Sequence, residues 1–320
     1  MKRKVLLQLV VPLLRLCVLF LLLTMDPVRP SQPQKLLEIS VLFRQSDAST
    51  WSVARQGMEQ AALDLNAELR FLTPAGEDLA AEQRELLERE AESGTNAILL
   101  IPSDREALAD TVEVITSAGT PVVTLETDMS DAGASVCIGA DNVALGEALG
   151  NAALNGAPEG SLVVLLDTAA GSTGVTDRME AAQTVLEAAG RQVSRCRPMD
   201  GESLASALER TLTVMRPAAV VAFDAADLEQ AAALLSERED APLLYGAGST
   251  ATVAAYLEQS TIVSIAAQNE FAAGYLAVGA AVQAAAGQES FQLDPLEFFL
   301  VRQENMYEPE NQKLLFPVTR

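Results

Sequence analysis

The chain has 320 residues, 49% hydrophobic but only 4% aromatic, with a formal net charge of −22. That is enough apolar material for two buried cores, filled by Ala, Leu and Val in place of large rings. His is entirely absent, which removes Ser-His-Asp and Cys-His catalysis, His-ligated metals and His proton switches. Six of the 22 basic residues but only one of the 44 acids fall in residues 1–35, so the remaining body carries 16 against 43. Such a body repels phosphate backbones, which argues against nucleic acid as a partner. Cys17, Cys137 and Cys196 stand at unrelated spacings, with neither a zinc pattern nor a disulfide framework. Cys137 and Cys196 read as buried thiols.

Lys2-Arg3-Lys4 precedes an apolar run from Val5 to Met25, interrupted by Gln8, Pro12 and Arg15. The unbroken part, Leu16 to Leu23, has the length of a signal-peptide core. The whole run, with Arg15 snorkelling, has the length of a bilayer span. No small-x-small pattern follows it, so residues 1–25 are expected to be an uncleaved signal anchor rather than a cleaved signal peptide. Basic residues before the span place the body outside the cytoplasm, attached to the membrane or secreted. Residues 26–37, with three prolines, form a linker.

Strands are then predicted at 37–43, 69–72, 97–101, 121–125 and 136–138, with helices at 51–66, 78–93 and 104–117 between them. A helix at 143–155 opens a second run. Its strands are predicted at 162–166, 193–196, 219–223, 243–245, 262–266 and 296–302, with helices at 174–189, 202–215, 226–237, 249–258 and 271–286. Strands alternating with helices of ten or more residues argue for α/β architecture with doubly wound parallel sheets, here in two lobes. In such sheets ligands sit beyond the carboxyl ends of the strands.

The polar residues at those ends are individually ordinary. Glu126, Thr127 and Asp128 follow one strand, Asp224 another, and Gln268 and Asn269 a third. Each alone reads as a loop or capping residue, but their convergence argues for a polar ligand. Trp51, the only Trp, is either a packing residue or a platform for the C–H face of a sugar. Gly171-Ser172-Thr173-Gly174 opens a helix and lacks the Lys of a phosphate-binding loop. Arg178, one turn later, is either a surface partner of Asp177 and Glu180 or a cleft guanidinium. Gly246-Ala247-Gly248-Ser249-Thr250-Ala251 matches a dinucleotide fingerprint, but it comes after several βα units and reads as a plain turn. The stretch Cys137-Ile138-Gly139-Ala140-Asp141-Asn142 is a turn into a helix capped by Asp141 or Asn142, or a crossing between lobes.

Taken as a set, Ile101-Pro102-Ser103-Asp104, Thr120 to Leu125, Gly139 to Asn142, Asp177 to Glu180, and Ala267-Gln268 with Gly274 resemble the type I periplasmic solute-binding proteins. The resemblance is to the ribose- and galactose-binding kind that serves ABC importers, and it spans residues 38 to 302. It implies a non-catalytic clamp with three hinge strands and no cofactor. One lobe would be 38–140 plus 269–292, the other 141–268 plus 293–320. It also implies ligand contacts at Trp51, Glu126, Asp141, Arg178, Asp224 and Gln268, with Asp141 and Gln268 at the hinge. The partner would be a sugar or polyol, passed to an ABC permease or reported to a sensor kinase. Family features are missing where Thr127 stands for an Arg, Asp224 for an Asn and Gly248 for an Asp. These departures argue against a ribose-like sugar held by the usual set.

Overall fold

The computed structural model describes residues 36–45, 50–76, 78–168, 172–288 and 293–316. The expected signal anchor, most of the linker, the loop at 46–49 and Gly171 lie outside these. Among the described residues, no helix is long and apolar enough to cross a membrane.

The first lobe is built on β1 (Leu37–Leu42), β2 (Ala67–Leu72), β3 (Ala97–Leu100), β4 (Val122–Leu125) and β5 (Val136–Ile138), all parallel, in the order β2-β1-β3-β4-β5. Between them run α1 (Ser52–Leu65), α2 (Leu79–Glu92) and α3 (Arg105–Ser117). After α4 (Asn142–Gly156) comes the second sheet, formed by β6 (Leu162–Leu166), β7 (Gln192–Cys196), β8 (Ala219–Ala222), β9 (Leu243–Ala247), β10 (Ile262–Gln268) and β11 (Phe298–Val301). Its order is β11-β10-β9-β8-β6-β7. Its helices are α5 (Thr173–Ala188), α6 (Leu204–Met215), α7 (Ala225–Ser236) and α8 (Ala251–Glu258).

The central strands β3, β6 and β8 are apolar on both faces because helices cover both. In β3, Ala97 and Leu99 pack with α1 residues such as Met58, while Ile98 and Leu100 pack with Leu87 and Leu108 of α2 and α3. In β6, Val163 and Leu165 face α4 and α5, whereas Val164 and Leu166 face α6 and α7. The two-residue period of a strand thus feeds two cores per sheet.

Three segments run between the sheets. The chain passes from β5 into α4 at Gly139–Asp141. It leaves β10 at Gln268 for α9 (Glu270–Ala285), whose Ala273, Ala277 and Ala281 pack beneath the first sheet with Ala54 and Met58. It returns to β11, and on the way Leu296 N–H donates to the Gly139 carbonyl at 2.9 Å. Two features depart from the sequence expectation. β11 is antiparallel to β10, because the chain re-enters the second sheet from the far lobe. A short helix, α10 (Pro309–Leu315), follows it; its seven residues are too few for a periodic signal, and Pro309 supplies its first turn.

Candidate functional site

Both sheets reverse their strand order beside their first strand, which leaves a crevice at the carboxyl ends. The two crevices face each other across a cavity of about 540 Å³, open mouth included. Arg44, just past β1, lines it. Its Nη1 donates to Glu126 Oε2 at 3.0 Å, and its Nη2 lies 3.6 Å from Asp224 Oδ2 in the other lobe. Its guanidinium also sits 5.2 Å from the Trp51 ring centroid, within cation–π range.

Glu126 follows β4 in the left-handed region, at φ 66°. This turn aims its carboxylate across the cleft, where Oε1 lies 3.7 Å from Arg178 Nη2. Arg178, on the second turn of α5, donates from Nε to Asn142 Oδ1 at 2.7 Å and from Nη1 to the Phe223 carbonyl at 3.1 Å. Asn142 in turn donates to the Glu126 carbonyl at 2.9 Å. Asp224 caps α7 by accepting from the Asp227 N–H at 2.9 Å. Gln268 ties two crossings together: its Oε1 accepts from Ala140 N–H, and its Nε2 donates to Glu270 Oε1, both at 3.1 Å.

Burial disfavours the charged form of every ionisable group here, and partners decide the outcome. For Glu126, Arg178 and Arg44 outweigh burial and hold its pKa below the usual range. For Arg44, Glu126 and Asp224 outweigh burial and raise it. Asp227 and Glu270 have no such compensation. Burial, then the neighbouring Asp224, pushes Asp227 to about 7; burial, then Glu126, pushes Glu270 to about 7. The stability from these two groups is therefore fully present below their unfolded values near 4 and is lost as pH rises through about 7. Glu126 works the other way, since its contribution is lost as pH falls below about 4. Urea-unfolding midpoints should accordingly fall from about pH 5 to about pH 8, and Asp227→Asn should flatten that fall. A midpoint that climbs over this range would contradict the assignment.

Five of the six residues expected from the sequence line this cavity: Trp51, Glu126, Arg178, Asp224 and Gln268. Trp51 is in the wall but 4% exposed; it packs on Phe43 and carries Arg44 on its ring. Asp141 lies elsewhere. It is exposed, caps α4 by accepting from Ala144 N–H at 3.0 Å, and borders an outer groove with Arg105 and Asp128. Its neighbour Asn142, on the same groove, is the one bonded to the cleft residues, to Arg178 and to the Glu126 carbonyl. Asp141→Ala should consequently cost about 1 kcal/mol of stability and leave ligand affinity unchanged, read by thermal melting beside calorimetric titration.

Sequence reasoning overlooked Arg44 and left Glu270 without a site role. Arg44 is the cleft's second guanidinium beside Arg178, and it comes from the end of β1 rather than from the strand that Thr127 follows. The only available signal was position: Arg44 follows β1 as Glu126 follows β4. Gly248 has φ 134°, and a side chain there would meet Ala225. The Gly246–Gly248 turn is thus explained by packing, without a dinucleotide. Both described cysteines are free, Cys137 half-buried with its thiol pushed up to about 11 by burial.

A family model described as a periplasmic binding protein domain matches residues 39–289. The chain belongs to the periplasmic binding protein family. This is a family of extracytoplasmic, non-catalytic solute binders. Similar solved structures include a carbohydrate-transporter solute-binding protein from Agrobacterium radiobacter in complex with D-arabinose, with TM-score 0.80 and 18% identity over 88% of this chain and 99% of that one. An ABC transporter solute-binding protein from Agrobacterium vitis with bound D-fucose gives 0.80 and 20% over 87% and 100%. A carbohydrate-transporter protein from Acidothermus cellulolyticus 11B in complex with myo-inositol gives 0.76 and 18% over 88% and 98%. At these identities the likeness is one of fold. Comparison with curated proteins by sequence finds no match.

Proposed function

We propose that this periplasmic binding protein captures a small polyhydroxylated solute, a sugar or polyol, by closing its lobes, and delivers it to an ABC permease. The observation that carries this reading is the pair of ion contacts spanning the cleft, Arg44 to Asp224 and Arg178 to Glu126, at the carboxyl ends of strands from opposite sheets. Charged groups of both signs, held by packing and by one another, suit a ligand that donates and accepts hydrogen bonds. The ligands of the structural relatives, D-arabinose, D-fucose and myo-inositol, are of this class.

In this reading the lobes are 38–140 plus 269–292 and 141–268 plus 293–320, and Gln268 steadies the hinge by bridging Ala140 and Glu270. Arg44, Glu126, Arg178 and Asp224 exchange their mutual contacts for ligand hydroxyls on binding. The reading is non-catalytic: the chain lacks His, which removes Ser-His-Asp and Cys-His chemistry. The body works outside the cytoplasm, held by residues 1–25 or released. Residues 1–25 also favour a second reading, in which the closed form reports to a histidine kinase. Titration calorimetry against sugars, polyols and nucleosides tests ligand capture. The absence of binding at millimolar concentration, with the protein folded, would remove it.

A further inference from the structure

The carboxylates of the cleft are not all matched. Its wall holds two guanidiniums, Arg44 and Arg178, against three carboxylates, Glu126, Asp224 and Glu270, with Asp227 directly behind Asp224. Arg44 is committed to Glu126 and Asp224, and Arg178 to Asn142, the Phe223 carbonyl and Glu126. Asp227 is engaged by the Thr168 hydroxyl. Glu270 is left over. It stands in the first turn of α9, lines the cavity, and receives a hydrogen bond from the Gln268 amide. Among the described residues, no Lys or Arg nitrogen comes within 4.0 Å of it.

We propose that the captured solute carries a positive charge, a protonated amino group on a sugar-sized polyol, and that the Glu270 carboxylate receives it. This rests on reading the cleft as a solute site. A half-buried carboxylate without a cation is costly, and a ligand ammonium removes that cost in the bound state alone, which is what selective affinity requires. The position at a helix N-terminus favours the ionised form once a cation arrives. Burial and Glu126 place the Glu270 pKa at about 7, so a nearby ammonium tips the group fully to the carboxylate at neutral pH. Elsewhere in the wall the chemistry remains that of hydroxyl recognition. The Trp51 indole N–H is buried without an acceptor, and both guanidiniums offer donors. The acidic body, 43 carboxylates against 16 basic residues beyond residue 35, concentrates cations near the cleft rather than anions.

The test is titration calorimetry on the full chain with matched pairs: D-glucosamine against D-glucose, D-galactosamine against D-galactose, and 1-amino-1-deoxy-D-sorbitol against D-sorbitol. The N-acetylated sugars serve as uncharged controls. The expected result is at least about tenfold tighter binding of an aminated member than of its parent or its acetylated form. That affinity should rise between about pH 6 and about pH 7.5 as Glu270 ionises. In Glu270→Gln the ratio within the pair should collapse toward one, in a protein whose melting temperature at about pH 8 is no lower than that of the wild type. Neutral members binding as tightly as aminated ones, or a ratio untouched by Glu270→Gln, would overturn the cationic solute and leave solute capture standing. Silence across both series would overturn the two together.

Discussion

Glu126→Ala is expected to cost about 3–5 kcal/mol of stability and to abolish solute binding. Among the described residues, Glu126 is the only carboxylate within 4.0 Å of both cleft guanidiniums, at 3.0 Å from Arg44 and 3.7 Å from Arg178. All three side chains are buried. Without it, Arg178 keeps only the neutral oxygens of Asn142 and Phe223, and Arg44 keeps Asp224 at 3.6 Å. Alanine gains nothing at φ 66°, because its Cβ meets the same clash as that of Glu. Native domains hold only about 5–15 kcal/mol in total, so the loss shows directly in urea unfolding. The double variant Arg44→Ala with Glu126→Ala should recover part of it, since one uncompensated charge leaves with its partner. A loss below about 1 kcal/mol would mean that the lobes part and water solvates the guanidiniums, which a larger radius of gyration in solution scattering would reveal.

How much of this was legible beforehand depends on whether a feature is local. The strands were, because two-sided burial writes runs such as Ala97-Ile98-Leu99-Leu100 into the chain, and the helices were because their apolar faces recur at 3.6-residue spacing. Strand ends then pointed to Glu126, Asp224 and Gln268. Arg44 was not legible. A charge after a strand reads as solvent-exposed, and nothing near it in sequence says that Asp224, 180 residues on, completes its site. The choice between Asp141 and Asn142 was equally closed to sequence, since both types cap helices. It is decided by side-chain direction, Asp141 along its own helix and Asn142 toward Arg178 and the Glu126 carbonyl. The antiparallel β11 follows from where the chain re-enters, a property of the whole topology.

Gly174→Val should fold as the wild type does and still bind its solute at least about tenfold more weakly. Gly174, near the start of α5 in the second lobe, lies against the carbonyl of Glu126 in the first. A Cβ placed there would stand 2.5 Å from that oxygen and 3.1 Å from Asn142 Nδ2. The obstructing atom is backbone, fixed by the hydrogen bond from Asn142, so it has little room to yield. Within the second lobe the same side chain meets only the Asn142 amide, the movable end of a side chain, at 3.1 Å, and a β-branched residue in place of Gly early in a helix gains about a few tenths of a kcal/mol. The penalty therefore falls on the approach of the lobes and not on either core. Unfolding midpoints should match those of the wild type, the weakened binding should appear by calorimetry, and saturating solute should no longer compact the protein in solution scattering. Gly174→Ala should act in the same direction with a smaller effect. Unchanged affinity in Gly174→Val would show that the solute is held with the lobes farther apart than they stand here, and the ion contacts across the cleft would then belong to the empty protein alone.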